Sequence, residues 1–496
     1  MKLEMDFTLS PLFDHKIMER EIISTNRKAL KLNLNPSIFG SFAEIGGGQE
    51  VARQFFQAGG ASGTVAKTIS AYDKAYSDAL YKSAESSRYV SETRLDDMLD
   101  AEYHELVKIL GTVRGNNSQF FSFANTVETL NYKRNNRGQG WIGLKFQLKP
   151  ETEANQVVIH VNLLENDGLQ QQTTLGILGV NLIYACFYLY EYPSQFIRSL
   201  LDDLSSDRVE ITMIRMSGPD LDYVDNRLLS VQLVKNGMTS AIMFDRHGSV
   251  KRPYDMLYGK NVLAFRGSFR PVTNVIVDMF RKSYRIFKRD EDYEKENTIS
   301  LCEMTLNNLV QEGEFDEQDF LDRVDILNGM GQNVMVSTFK EYYKLVEYFS
   351  QFKIRKLRVV IGIPTFMNFL EKKYYTHLRG GILEAMGKFF IDNMKLYVYP
   401  TISSVTIDDP TKGEELITSQ NLPLAEDILD LYNFLVKNRL IIDITDAKRE
   451  WLWINSQIVV KIIKDGAPGW ETMVPKYIEE EIKRKRLFGY REEDRI

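Results

Sequence analysis

Between about residue 156 and residue 400, short apolar runs alternate with amphipathic stretches. This alternation constrains the fold more than any other feature of the chain. The strand candidates are VVIHVNLL (157–164), RVEITMIRM (208–216), SAIMF (240–244), NVLAFRGSF (261–269), TISLCEMTL (298–306), NVMVSTF (333–339), KLRVVIGI (356–363) and MKLYVYP (394–400). Segments with helical spacing of apolar residues lie between them, among them TNVIVDMFRKSYRIF, KEYYKLVEYFSQF and GGILEAMGKFF. Near-continuous apolar strands alternating with helices are expected of parallel strands covered on both faces. The expected fold class is therefore α/β with a β/α repeat core. Two arrangements remain open, a (β/α)8 barrel and two doubly wound parallel sheets.

The flanks of this core read differently. Length alone, 496 residues, allows two to four domains. Residues 1–118 are expected to form a helical N-terminal region, because Gly46-Gly47-Gly48 and Gly59-Gly60 each run into an apolar-periodic stretch, as at a helix start. A charged helical segment follows from Glu92 to Leu110. Residues 119–290 are expected to hold a hairpin and the first β/α half. The hairpin signal is the alternation of FFSFANTVETLNY and WIGLKFQL around the turn-like KRNNRGQG. Residues 291–400 form the second half, after the mostly charged linker candidate KRDEDYEKEN (288–297). Residues 401–496 are expected to be a polar loop and a helical C-terminal tail.

Composition narrows the function classes. At 44% hydrophobic and 26% charged, the chain has the make-up of a globular protein. Sixty-two basic against 68 acidic residues, net −6, argues against a nucleic-acid partner, which selects for a basic excess. Two cysteines, Cys186 and Cys302, exclude a disulfide framework and a cysteine-rich zinc site. The start Met1-Lys2-Leu3-Glu4-Met5-Asp6 carries acids where a signal peptide needs a basic start, so a cytoplasmic location is expected. Leu175 to Tyr190 is the most apolar stretch. It falls short of the roughly 20 residues of a membrane span and has Asn181 in its middle. It reads as a buried core helix, and no membrane partner is expected.

Ligands of α/β folds sit beyond the carboxyl ends of parallel strands, so strand ends carry the site candidates. They are Glu165-Asn166-Asp167-Gly168, Ser217-Gly218-Pro219-Asp220, Asp245-Arg246-His247-Gly248 and Arg266-Gly267-Ser268-Phe269-Arg270. Arg266, Ser268 and Arg270 suit a phosphate or carboxylate, because guanidinium groups bind such anions in a bidentate way. His247 is the candidate for proton transfer. Asp167, Asp220 and Glu303 are candidate carboxylates, as base or as oxygen ligands of magnesium. Glu303 lies inside an apolar run, where a carboxylate must be paired or face a cavity. Each of these residues, taken singly, also fits a capped turn.

Weaker signals complete the survey. Ala61 to Thr68 overlays a P-loop pattern with Lys67 and Thr68 in place, but alanine stands at both defining glycines. What remains is a general anion site at a helix start, or a plain turn between helices. Gly380-Gly381 offers the same alternatives. There is no G-x-S-x-G, no H-E-x-x-H and no paired C-x-x-C.

The segments NPSIFGSFAEIGGGQEVARQFF, LVKNGMTSAIMF and LAFRGSFRPVT together resemble an uncharacterised family of bacterial proteins of about this length. Labels that accompany the family disagree. Nicotinate-nucleotide adenylyltransferase implies an H-x-G-H motif that this chain lacks, and TonB-dependent receptor implies an export signal and a membrane barrel. The resemblance implies no site residue. Two readings of function follow from the residues alone. One is an enzyme acting on a phosphorylated or nucleotide-like small molecule at the strand carboxyl ends. The other is a non-catalytic, enzyme-like scaffold or regulatory subunit of a cytosolic complex. Assembly as a homo-oligomer stays open.

Overall fold

The computed structural model describes residues 21–81, 88–291, 293–311, 314–403 and 415–491. The acidic N-terminal start and most of the polar stretch after Pro400 lie outside them. The chain divides into two compact units, Met1–Thr239 and Ser240–Ile496. The boundaries expected near residues 118, 290 and 400 fall inside these units, and the charged stretch 288–297 is a connection within the second.

The first unit contains α1 (Thr25–Asn33), β1 (Ile38–Ile45), α2 (Glu50–Ala58), β2 (Val65–Ile69), α3 (Lys74–Leu80), α4 (Glu92–Arg114), β3 (Gln119–Glu128), β4 (Gly138–Phe146) and β5 (Asn155–Leu163). It continues with α5 (Gly168–Tyr188), α6 (Pro193–Ser199), β6 (Val209–Ser217) and α7 (Asn226–Lys235). Its sheet runs β2-β1-β3-β4-β5-β6. β1 is parallel to β2 and β3, and the rest is antiparallel. The expected hairpin is therefore present as β3 and β4. Gly46-Gly47-Gly48 leads into α2 as expected, but the N-terminal region is not helical throughout: β1, buried along its whole length, precedes that cluster, and β2 rather than a long helix follows Gly59-Gly60.

The apolar helix α5 is this unit's core helix. It packs against α1, α2 and β4, and its middle is closed from water. Gly176 and Gly179 let α2 come close. A Cβ on Gly179 would meet Val51 Cγ2 at 2.3 Å. Asn181, polar in the middle of an apolar helix, has a specific task. Its Nδ2 donates to the carbonyls of Leu200 and Asp202, and its Oδ1 accepts from Lys28 Nζ at 2.7 Å. Lys28 is fully buried and pairs with Asp202 at 2.6 Å. The pair fixes α1 and the segment after α6 to α5.

The second unit contains β7 (Ala241–Phe244), β8 (Val250–Lys251), α8 (Pro253–Leu257), β9 (Asn261–Arg266), α9 (Asn274–Phe287), β10 (Thr298–Thr305), α10 (Leu306–Leu309) and a short hairpin, β11 (Val310–Gln311) with β12 (Glu314–Phe315). There follow α11 (Glu317–Gly329), β13 (Asn333–Ser337), α12 (Tyr342–Ser350), β14 (Lys356–Gly362), α13 (Ile363–Phe369), α14 (Gly381–Phe389) and β15 (Met394–Tyr399). After a second short hairpin, β16 (Thr401–Ile402) with β17 (Leu416–Ile417), come α15 (Glu426–Lys437), β18 (Ile441–Asp443), α16 (Ser456–Lys464) and α17 (Lys476–Lys485). The main sheet runs β18-β15-β14-β9-β10-β13-β7-β8. From β18 to β13 it is parallel, and β7 and β8 are added antiparallel.

The fold is thus α/β with two large mixed sheets. Both sheets are open, which corrects the barrel alternative. β5 and β6 are antiparallel in the first sheet, and β7 is antiparallel in the second. The cause of the misreading is physical. A strand covered on both faces shows a continuous apolar run whichever way its neighbour points. Among the described residues no helix is long and apolar enough to cross a membrane.

Lys28→Ala removes the buried cation that pairs with Asp202 at 2.6 Å. The expected cost is about 3–5 kcal/mol, read by chemical denaturation. Replacing Asp202 by Asn in the same chain should recover part of it.

Candidate functional site

Three neighbouring parallel strands of the second sheet deliver one cluster at their carboxyl ends. Arg266 closes β9, Glu303 stands opposite it in β10, and Ser337 closes β13. Glu303 has no exposure to solvent. Arg266 donates from Nε to Oε2 at 2.5 Å and from Nη2 to Oε1 at 2.9 Å, and Ser337 Oγ donates to Oε1 at 2.5 Å. The third guanidinium nitrogen reaches the Lys340 carbonyl at 3.2 Å. The Tyr342 ring lies 4.4 Å beneath the guanidinium, and burial pushes its phenol up to about 12. The pair is bidentate, stacked and buried, so its charges are mutually satisfied.

The loop after β9 is held in a similar way. Arg270 Nε donates to Asp319 Oδ1 at 2.7 Å, and its guanidinium faces the Phe488 ring at 5.2 Å. Asp319 also pairs with Arg323. Arg323 is buried and donates to the carbonyls of Asn308 at 2.7 Å and Ser268 at 3.3 Å. Burial pulls the Arg323 guanidinium below its usual range. The C-terminal segment approaches from the other end of the loop. Asn274 donates through its amide N to the Met473 carbonyl and through Nδ2 to the Thr472 carbonyl, both at 2.9 Å. Ser456 Oγ donates to the Pro271 carbonyl. The Ser268 hydroxyl is left without a hydrogen bond among the described residues. The buried hydroxyl of Thr273 is likewise unpartnered.

The remaining sequence candidates fall elsewhere. His247 lies in the exposed turn between β7 and β8, where Asp245 Oδ1 accepts from the backbone of His247 at 2.9 Å and of Ser249 at 3.0 Å. β7 runs antiparallel to β13, with Phe244 opposite Val334. The turn therefore lies at the edge where β13 begins, opposite the edge that carries Arg266 and Glu303. This corrects the expectation that His247 shares a cleft with Arg266. A strand-end loop lies at the carboxyl edge only if its strand is parallel to the others.

Asp167 and Asp220 belong to the first unit. Asp167 caps α5 by accepting from the Leu169 and Gln170 amides, both at 3.0 Å. Asp220 accepts from Asn155 Nδ2 at 2.8 Å while its own amide donates to Asn155 Oδ1. Lys67 and Thr68 lie in strand β2, so no helix start follows the P-loop-like stretch. At Gly380 the amide donates to Glu384 Oε2, so that helix start is capped by its own side chain. Among the described residues no group of three or more His, Cys, Asp and Glu is placed to hold a metal ion, magnesium included.

One ionisable group was not among the candidates. Glu44 sits at the carboxyl end of β1 and is buried. Its oxygens accept from the Val51 amide at 3.2 Å, the Ala52 amide at 3.0 Å and Asn125 Nδ2 at 3.1 Å. Burial nevertheless raises its pKa to about 7. A Cβ on Gly46 (φ +88°) would meet the Val127 carbonyl oxygen at 1.8 Å, so the loop after Glu44 requires glycine there. A carboxyl that titrates near neutrality at a strand end is a functional-site candidate. The signal was in the sequence: an acid inside the apolar run IFGSFAEI, as with Glu303.

No protein-family model matches the chain, and no curated protein matches it. Solved structures with weak similarity include two described as competence/damage proteins. One is the competence/damage inducible protein CihA from Agrobacterium tumefaciens, 15% identical, covering 32% of this chain and 94% of that one, with a TM-score of 0.24. The other is a competence-damaged protein (CinA) superfamily protein from Escherichia coli, 12% identical, covering 33% and 94%, with a TM-score of 0.21. Similarity this low leaves fold and function to the chain's own geometry.

Two measurements test the geometry of the buried acids. Arg266→Ala strands Glu303 in the sheet and should cost about 3–5 kcal/mol of stability, whereas an exposed cation removed from the same unit, as in Lys461→Ala on α16, should cost less than about 0.5 kcal/mol. For Glu44, the folded pKa lies above the ordinary 4.5, so the native state binds the extra proton. Its contribution is complete below about pH 4.5 and is lost as pH rises through about 7. The stability of the natural protein relative to Glu44→Gln should therefore fall across that window, by an amount on the order of 3 kcal/mol, as read from denaturant midpoints at each pH.

Proposed function

We propose that the second unit binds a phosphorylated or nucleotide-like small molecule at the carboxyl edge of its sheet and acts on it there. The observation that carries this reading is the strand order. Numbered along the chain, the six parallel strands β9, β10, β13, β14, β15 and β18 stand in the order third, second, first, fourth, fifth, sixth. That is the order of doubly wound dinucleotide-binding sheets, in which ligands lie where successive crossovers part. Here the chain leaves β9 toward β10 and β13 and returns at β14 on the other side, so the parting lies between β9 and β14. The β9 loop offers the Ser268 and Thr273 hydroxyls and the start of α9, groups that suit an anion without bringing a charge of their own.

A second reading, the enzyme-like scaffold, is favoured by one observation. Arg266 and Arg270 are each closed on an internal carboxylate, and the Asn274 amide is taken by the Met473 carbonyl. On that reading the edge has no ligand and the unit works through its surface.

Thermal shift against nucleotides, sugar phosphates and dinucleotides, with and without magnesium, separates the two. A ligand at 100 times its Kd stabilises by about 2.7 kcal/mol. The expected outcome is a shift with at least one phosphorylated compound that is lost in Ser268→Asp, whose added charge repels the anion at a half-exposed site. No shift across the panel, or one that Ser268→Asp leaves intact, overturns the proposal.

A further inference from the structure

The first unit leaves one edge of its sheet open. β2 is the end strand, and among the described residues it pairs with β1 alone, so the outer side of its backbone meets no other strand. Such an edge is a template for a further strand, and proteins cover it or guard it with charge. The one charged residue of β2, Lys67, does not guard it. Lys67 is turned onto α4, where it pairs with Glu102 at 2.6 Å and with Glu105.

Beside the open edge runs a groove of about 480 Å³, between β2 and the C-terminal half of α4. Its apolar lining includes Phe39, Val65, Leu106, Ile109 and Leu110. Ile109 is 62% exposed, and Val113, one turn further along α4, is 73% exposed. The charged lining, Lys67 and Arg114 against Glu102 and Glu105, sums to zero. The groove therefore suits an apolar surface rather than an ion, and apolar side chains exposed beside an open edge mark a docking surface.

The chain itself carries a segment that fits such a place. Leu3, Met5, Phe7 and Leu9 alternate with Glu4, Asp6, Thr8 and Ser10, the period of a strand with one apolar face. Pro11, which cannot donate to a ladder, follows them. These residues lie outside the described ones, which begin at residue 21. The connection is long enough. α1 ends against the approach to β2, where Thr64 Oγ1 donates to the Leu32 carbonyl at 3.3 Å. From there the start of α1 is about 13 Å away, and the far end of β2 about 17 Å. Residues 11–24 can extend to about 46 Å, enough to join the start of α1 to either end of β2.

We infer that residues 3–10 of the same chain pair with β2 as a further strand of this sheet and lay their apolar face into the groove. The added backbone takes up the open edge. Phe7 and its apolar neighbours cover Ile109 and Val113, and Glu4 and Asp6 fall on the opposite face, away from Glu102 and Glu105. The inference rests on the first unit alone and stands whatever the second unit binds.

Hydrogen–deuterium exchange of the full chain tests it. Amides of residues 4–9 should exchange at least about tenfold more slowly than those of a free peptide of the same sequence. Phe7→Asp and Ile109→Glu should each speed the exchange of residues 4–9 and of β2 together. β4 and β5 should keep their protection in both variants, which shows that the unit stays folded. A synthetic peptide of residues 1–12, added to the Phe7→Asp protein, should slow the exchange of β2 again. Dilution of the natural protein should leave the protection unchanged. The inference is overturned if residues 4–9 exchange as fast as the free peptide, or if Ile109→Glu leaves their protection intact. It is also overturned if the protection is lost on dilution, which would assign the groove to the segment of a second copy.

Discussion

A carboxylate without access to water stands in the middle of the second sheet, and the arrangement of the carboxyl edge follows from the need to satisfy it. Glu303 receives two N–H bonds from Arg266 and one O–H bond from Ser337, so a single side chain links the ends of β10, β9 and β13. A carboxylate in this setting tolerates no missing partner, because the uncompensated charge would carry the full desolvation cost. The same rule organises the first unit at two places. Lys28 is matched by Asp202 and Asn181, and Glu44 takes two amides from the start of α2. The difference lies in the partner's charge. Glu303 has a cation, whereas Glu44 has only neutral donors, and burial then raises its pKa into the neutral range.

How much of this was legible depended on which physical signal the sequence carries. Apolar runs marked β9, β10, β13, β14 and β15 as strands, and Asn181 inside an apolar helix marked α5 as a core helix rather than a membrane span. Strand direction was not legible, because a two-sided apolar run is the same in parallel and antiparallel neighbours. That single ambiguity produced the barrel alternative and placed His247 at the wrong edge. β1 was hidden for a different reason. Its glycine cluster does mark the approach to α2, and that signal masks the strand before it, on leaving which the chain passes against the Val127 carbonyl and needs Gly46.

The site residues divide along the same line. An acid inside an apolar run is an informative signal, because burial forces such a residue to find partners, and Glu303 finds them in Arg266 and Ser337. Acids in turn sequences carried no such force. Asp167 and Asp220 proved to be a helix cap and a loop clasp, which need only a backbone amide or an asparagine. Arg266 and Arg270 stand 37 and 49 residues from Glu303 and Asp319, and nothing local pairs them, since those pairings depend on the order of the strands and on where α11 packs.

Occupied arginines change what a ligand at the carboxyl edge can use. An anion that reached Arg266 would have to displace a fully buried carboxylate that also holds Ser337, and the displaced charge would have no other partner nearby. Under the proposed function, binding at this edge falls to neutral donors, the hydroxyls of Ser268 and Thr273 and the first-turn amides of α9 other than that of Asn274, which the Met473 carbonyl takes. Neutral donors fix the geometry of a phosphate without a strong dependence on ionic strength. Thr472 and Met473, whose carbonyls meet Asn274, stand beside those donors. The C-terminal segment is thus part of the wall of this edge, and under the proposed function a phosphorylated compound has to fit the shape of that wall.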